Sequence, residues 1–285
     1  MYINIHFFRK SNLEKLDYSK VLDYFDTLPN FKTYVSEEFV EIVYSDVEFN
    51  FVYRYLITKQ SRVTRIYELN PMYSNVNILL ELPIMIPSFL AKEILAITQK
   101  LCKIFDLEIY QDSFNDVQPF NLVDVLVLFE KTRANYIEEH GLKGKVLFDN
   151  EKLNIICKYQ RSVDNLREYY HNEVEVNYVV PILDETSGVS GISYTWKLGT
   201  PSVFPPYIEY IYVVDETQEK LLVTRESFYR ILNKYFIEIK TFLPDLYVIK
   251  QKQAKTTKKE LKKLRKFAVA SHNFKKIRLC DVIEK

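Results

Sequence analysis

The sequence predicts an α+β fold made of two mixed-sheet α/β-sandwich units, followed by a basic C-terminal helix. Hydrophobic residues make up 47% of the 285 residues and charged residues 27%, a balance typical of globular proteins and unlike that of disordered chains. Apolar positions alternate between the two-residue period of strands and the three- to four-residue period of helices. The length is at the upper end for one domain and therefore favours two.

Residues 1–120 are predicted to form an N-terminal α+β domain with the element order β-α-β-β-β-α-β. The expected strands cover 2–8, 39–43, 49–57, 76–86 and 107–110, and the expected helices cover 18–25 and 89–104. Pro83 cannot donate to a β-ladder, which suggests an edge or a bulge at that point. The order is typical of an elaborated ferredoxin-like sandwich, with helices on one face of a mixed sheet.

Two helices are expected to link the domains across residues 121–171. Asn121 is suited to cap a helix that begins at Leu122, and Gly141 is suited to the left-handed position that follows a helix. A second helix is expected from about residue 152 to 170, where apolar positions advance by three or four.

A C-terminal α+β domain is predicted for residues 172–249. Its expected strands cover 174–182, 192–198, 208–214 and 221–223, with a turn at 215–219. Thr224 is expected to cap a helix that continues to about residue 242. Residues 250–285 are then expected to form a basic helical tail.

The formal net charge of +1 conceals a strong asymmetry along the chain. Residues 250–278 contain twelve Lys or Arg and one acid, Glu260, which gives this segment a charge of +11. The remaining 27 basic and 37 acidic residues give the rest of the chain a charge of −10. An acidic body thus carries a basic C-terminal arm.

The basic arm contains the strongest local signal for a binding site. Thr257 and Glu260 have the spacing of a capping box, and Leu261, Leu264 and Ala268 would share one narrow face of the helix that follows. The candidate nucleic-acid-binding residues around that face are Lys258, Lys259, Lys262, Lys263, Arg265 and Lys266. Such a helix could contact phosphates. In the alternative interpretation, it packs on the acidic body through Leu261 and Leu264, or is a solvated tail.

A second candidate is the segment between Thr186 and Tyr207, which contains three of the five glycines, three prolines and the sole tryptophan. Exposed loops rich in aromatic residues are favoured recognition surfaces. The candidate recognition residues are Tyr194, Trp196, Phe204 and Tyr207. The alternative is a pair of hairpin turns with Trp196 in the core.

Known catalytic and cofactor motifs are absent from the sequence. Gly144-Lys145 lacks the first glycine and the Ser or Thr of a phosphate-binding loop, and Gly188-Val-Ser-Gly191 has the wrong glycine spacing for a nucleophile elbow. The four histidines and three cysteines have no metal-ligand spacing. The strand at 49–55 has an aromatic face, as the RNA-recognition motif does, but lacks that motif's glycine, and we expect this face to be buried beneath helices.

These observations favour a non-catalytic, cytoplasmic binding or scaffold protein with no cofactor, no metal and no membrane span. A protein partner is the favoured hypothesis. One alternative is an RNA- or ribosome-associated protein that contacts phosphate through the basic C-terminal helix. Another is an enzyme of unrecognised type with a pocket near residues 186–207.

Overall fold

The computed structural model describes residues 1–269 and 273–285, and it confirms the predicted α+β class. His272, one of the isolated histidines of the sequence, lies outside the described residues. The chain divides into two compact units, Met1–Lys145 and Val146–Lys285.

The first unit is built on a six-stranded sheet. Its elements are β1 (Tyr2–Lys10), α1 (Tyr18–Asp26), β2 (Phe31–Val35), β3 (Phe39–Asp46), β4 (Phe51–Thr58), β5 (Tyr73–Pro83), α2 (Ser88–Phe105), β6 (Leu107–Tyr110) and α3 (Leu122–His140). The strand order is β2-β3-β4-β5-β1-β6. Every pairing is antiparallel, whereas the sequence suggested a mixed sheet, and β2 is an additional strand at the edge.

Helix α3 begins and ends where its sequence signals predict. The side chain of Asn121 accepts a hydrogen bond from the Val123 amide at 3.0 Å, and Gly141 follows the last turn with a φ of +69°. Buried Arg133 ties this helix to the first unit by donating to the Ile86 carbonyl at 2.9 Å and to Ser88 Oγ at 3.0 Å. The sequence had suggested instead a helix that links two domains.

The aromatic face of β4 forms the core of the first unit. Phe51, Tyr53 and Tyr55 are all buried. The ring of Tyr55 packs against Phe25 of α1 with centroids 4.9 Å apart, and its hydroxyl group hydrogen-bonds Thr98 of α2 at 2.8 Å. This confirms that the face lies beneath helices, where it cannot stack on bases.

The second unit contains several smaller sheets. Its elements are β7 (Val146–Phe148), α4 (Asn150–Tyr169), β8 (Val180–Leu183), β9 (Ser190–Lys197), β10 (Ser202–Phe204), β11 (Tyr210–Val214), β12 (Lys220–Thr224), α5 (Arg225–Leu232), β13 (Ile237–Glu238), β14 (Tyr247–Ile249), α6 (Gln251–Ala254), α7 (Leu261–Lys266), β15 (Lys275–Lys276) and β16 (Val282–Glu284). The largest sheet has the order β12-β11-β9-β8-β15 and is mixed, because β11 runs parallel to β9. Strands β10, β14 and β13 form another sheet, and β16 pairs in parallel with β7.

The core of the second unit is a cluster of aromatic rings. Trp196 of β9 contacts Phe204 of β10 and Phe228 of α5, with ring centroids 5.6 and 5.4 Å apart. The indole N–H of Trp196 donates to the Thr200 carbonyl at 3.0 Å, so its polar atom is satisfied despite complete burial.

Two elements of the second unit differ from the sequence prediction. The helix capped by Thr224 ends at Leu232 rather than near residue 242, and a short 3₁₀ turn follows. It ends early because Phe236 packs against Phe204, while Ile237 and Glu238 pair with β14. Within the segment predicted as one strand at 174–182, only the end belongs to a ladder, as part of β8.

Candidate functional site

The basic segment is folded into the second unit rather than projecting from it as a tail. Helix α6, a 3₁₀ helix over Lys255–Glu260 and helix α7 follow one another, and together they turn one face inward. The buried residues of that face are Ala254, Thr257, Glu260 and Leu264. Beyond it, β15 and β16 pair with β8 and β7. The alternative interpretation of the sequence was docking through Leu261 and Leu264; Leu264 is buried and Leu261 half-buried, while Ala268 of the same predicted face is exposed.

The predicted capping box at Thr257 is wrong, because both of its side chains have other partners. The Thr257 hydroxyl group donates to the Ala254 carbonyl at 2.6 Å. The buried Glu260 carboxylate accepts hydrogen bonds from Lys263 Nζ at 2.7 Å, Lys234 Nζ at 2.9 Å and the Tyr235 hydroxyl group at 3.0 Å. The hydrogen bonds from Lys263 and Lys234 lower the pKa of Glu260 to about 2.

Two other basic residues of the segment contact the turn between β11 and β12, which we call the acidic turn (residues 215–219). Lys258 pairs with Glu216. Arg265 pairs with Asp215 at 3.0 Å and with Glu219 at 2.7 Å. A hydrogen bond from the Thr217 hydroxyl group and others from the backbone amides of Thr217 and Glu219 hold the pKa of Asp215 below its usual value. The unit thus neutralises part of its own basic segment.

Five of the remaining lysines of the segment form a row along its outer face. The lysine row consists of Lys252, Lys255, Lys259, Lys262 and Lys266. All five are exposed, and none has an ion-pair partner among residues 1–269 and 273–285. Their spacing of three, four, three and four places them on one side of a helical segment. Lys252 and Lys255 were not among the predicted nucleic-acid-binding residues, because the helix was expected to begin only at Thr257.

Three of the four predicted recognition residues are core residues. Tyr194, Trp196 and Phe204 are completely buried, and the hydroxyl group of Tyr194 hydrogen-bonds Ser202 at 3.0 Å. They lie on strands whose inward side chains fill the aromatic core, which is the alternative that the sequence left open for Trp196. The fourth residue, Tyr207, is half-buried and lines a cleft.

This cleft is an open cavity of about 590 Å³ in the second unit. Its lining combines tyrosines with charged side chains and the first residues of α5. The lining residues are Lys152, Tyr207, Ile208, Glu209, Tyr210, Thr224, Arg225, Glu226, Tyr229 and Tyr247. A cleft of this volume with a few polar groups is a common form of ligand site.

Glu209 is the most perturbed acid of the cleft. One carboxylate oxygen accepts a hydrogen bond from the Ile192 amide at 2.6 Å, and the backbone carbonyl accepts one from the Arg225 amide at 2.8 Å. Burial raises the pKa of Glu209 to about 7, against the opposing effects of the Ile192 amide, Lys152 and Arg225. Glu209 was not among the predicted site residues, because its sole signal in the sequence is an acid at the start of an apolar strand.

Arg225 and Tyr229 contribute polar atoms that lack partners. The Arg225 guanidinium lies over the Tyr229 ring, 4.7 Å from its centroid. Arg225 Nε and the Tyr229 hydroxyl oxygen are both buried without a hydrogen bond of good geometry, although the guanidinium lies close enough to the hydroxyl group to oppose the rise that burial causes in the pKa of Tyr229. Buried polar atoms without good partners are uncommon, and a bound water, ion or ligand is one explanation for them.

Other features that the sequence singled out do not form a site. Gly188 closes the turn between β8 and β9 by donating its amide to the Asp184 carbonyl at 2.8 Å, and Gly191 lies within β9 beside the ring of Tyr210. In the described part of the chain, no group of three or more His, Cys, Asp or Glu side chains could hold a metal ion. None of the helices in the same residues combines the length and the apolar character that crossing a membrane requires.

No family model, curated protein or solved structure matches the chain.

Proposed function

We propose that the second unit binds RNA by placing the lysine row against a phosphate backbone. The observation that carries this proposal is the contrast within one segment. Lys258, Lys263 and Arg265 are neutralised by acids of the same unit, whereas the five lysines of the row are exposed without such partners. A docked row of unpaired cations fits a polyanion, because each phosphate contact releases counterions.

The dimensions of the row favour a polymer over a small anion. Lys252 and Lys266 are fourteen positions apart, which corresponds to about 21–28 Å at the rise of α- and 3₁₀-helices. That length is close to the rise of about six to eight nucleotides of one strand. Five cations spaced along it can contact several phosphates at once.

The same segment is poorly suited to a membrane surface. Its apolar residue Leu264 is buried inside the unit, and Phe267 is its one large hydrophobic residue that is exposed among those described. Interfacial anchoring requires a continuous apolar face in addition to basic charge. A protein partner and a cytoplasmic location stay predictions from the sequence, and no contact described above favours either.

The test measures the affinity of the full chain for a fluorescein-labelled uridine 20-mer between 50 and 300 mM KCl. We expect affinity to fall steeply with salt. We also expect the triple variant Lys255→Gln/Lys259→Gln/Lys262→Gln to flatten the plot of log K against log[KCl] by about 2, since each contact to a single strand adds about 0.7 to the slope.

The control is the double variant Lys158→Gln/Lys240→Gln, which removes two exposed lysines outside the row. The control should retain most of the wild-type slope of log K against log[KCl]. The proposal is overturned if the triple variant and the wild type have the same slope, or if the control flattens the slope as much per lysine. Equal competition by polyglutamate would point to an acidic protein partner instead.

A further inference from the structure

We infer that the cleft beside α5 is a binding site for a small anionic ligand, whose phosphate or carboxylate group is held by Arg225 and Lys152. This inference concerns a part of the second unit that contains no residue of the lysine row. It therefore stands or falls independently of RNA binding.

The unpartnered atoms in the cleft identify the chemistry of the ligand. Arg225 Nε is a donor, and the Tyr229 hydroxyl group can donate as well. The guanidinium is held in place by its position over the Tyr229 ring. The oxygens of a phosphate or a carboxylate accept hydrogen bonds and would satisfy both atoms, and arginine binds such planar or tetrahedral anions especially well.

The electrostatics of the cleft also favour an anion. Arg225 is the first residue of α5, whose N-terminal end carries partial positive charge. Lys152, on α4, is exposed and has no ion-pair partner among the residues described. The opposing acids are Glu226, which is exposed, and Glu209, which is half-buried. The two cations and the helix end thus face a cavity large enough for a small metabolite.

Glu209 gives the site a dependence on pH. The groups that face it are Lys152 of α4, Arg225 of α5, the Ile192 amide of β9 and the neighbouring Tyr210 of β11. Burial raises the pKa of its carboxyl group to about 7. Below that pH the group is neutral and does not repel an anion, and above it the carboxylate does. The affinity for a carboxylate, whose charge is constant in this range, should therefore fall as the pH rises from 6 to 8.

The experiment titrates the full chain with inorganic phosphate and, separately, with benzoate, and follows the Arg225 Nε–H signal by NMR. We expect at least one probe to shift this signal. The affinities of variants are followed through the backbone amide signal of Glu226, which lines the cleft and is present in each of them. Arg225→Met, which keeps an aliphatic chain over Tyr229, and Lys152→Gln should each weaken binding about tenfold or more, as expected for the loss of a hydrogen bond to a charged group. With benzoate, whose charge is constant between pH 6 and 8, Glu209→Gln should remove most of the pH dependence of binding in that range; phosphate itself titrates there and is not used for this comparison.

The matched control is Lys158→Gln, on the same helix as Lys152 but outside the cleft, and it should bind as the wild type does. Because Lys152 is exposed, its variant tests the site even if Arg225→Met impairs folding. The inference is overturned if neither probe shifts the Arg225 signal. It is also overturned if Lys152→Gln binds as tightly as Lys158→Gln. A shift from phosphate alone would assign a phosphorylated ligand, and a shift from benzoate alone a carboxylate.

Discussion

Replacing Glu260 by glutamine is expected to destabilise the second unit at neutral pH. The carboxylate is the anchor of the basic segment, because it accepts hydrogen bonds from Lys234, Lys263 and Tyr235 while its own side chain is only 3% exposed. Glutamine has a similar shape, but it removes the negative charge that both lysines face.

The size of the stability loss in Glu260→Gln follows from the pKa of Glu260 and from the exposure of its two lysine partners. The pKa falls from an ordinary 4.5 to about 2, and each pKa unit corresponds to about 1.4 kcal/mol, which sets an upper limit of about 3.5 kcal/mol. The side chains of Lys234 and Lys263 are 58% and 63% exposed, so solvent screens both pairs. We therefore expect a loss of about 1–2 kcal/mol.

The stability loss in Glu260→Gln should become smaller as the pH falls. Because the pKa of Glu260 is lower in the folded state, its stabilising effect is complete above pH 4.5 and declines as the pH falls towards 2. By pH 3, less than half of the difference between wild type and Glu260→Gln should remain.

The assay is urea unfolding followed by the fluorescence of Trp196, the sole tryptophan, which is buried in the second unit and therefore reports on that unit. The control is Glu238→Gln, an exposed acid of β13, which should change stability by less than about 0.5 kcal/mol. A Glu260→Gln loss of the same size at pH 3 and pH 7 would refute the reasoning, since the effect would then not come from the charge.

Two further predictions concern packing and a buried hydrogen bond. Gly191→Ala should destabilise the second unit by about 1–3 kcal/mol in the same assay, because the new Cβ would lie 2.9 Å from the Tyr210 ring. A loss below about 0.5 kcal/mol, the range of an ordinary surface substitution, would contradict this. Arg133→Met should cost the first unit about 1–3 kcal/mol, because the Ile86 carbonyl loses its donor. Circular dichroism measures this loss, and Lys131→Met, exposed on the same helix, should cost much less.

Elements defined by local signals could be predicted from the sequence. Asn121 and Thr224 each cap a helix by accepting a bond from an amide two or three residues on, and the turn at 215–219 is closed by the side chain of Asp215. Each of these interactions joins residues only a few positions apart. Their energetics therefore depend little on the rest of the fold.

Features that depend on distant partners could not be predicted. The early end of α5 reflects the packing of Phe236 on Phe204, thirty-two positions away. Glu260 had the spacing of a capping residue, but Lys234 and Tyr235 draw its carboxylate inward. The division of the basic segment into neutralised and unpaired lysines depends on where the acidic turn lies. For the same reason, the sequence indicated basic residues as candidates without showing which of them are unpaired.

The parallel pairing of β16 with β7 has a consequence for the order of folding. It joins Val282 to Val146, at opposite ends of the sequence of the second unit. Contacts between such distant positions require the closure of a long loop, whose entropic cost grows slowly with its length, and folds rich in such contacts fold more slowly. The pairing cannot form before residues 282–284 have been synthesised. Strand β7 therefore lacks its β16 partner throughout synthesis of the unit. During that interval the unpaired edge of β7 is most exposed to incorrect pairing.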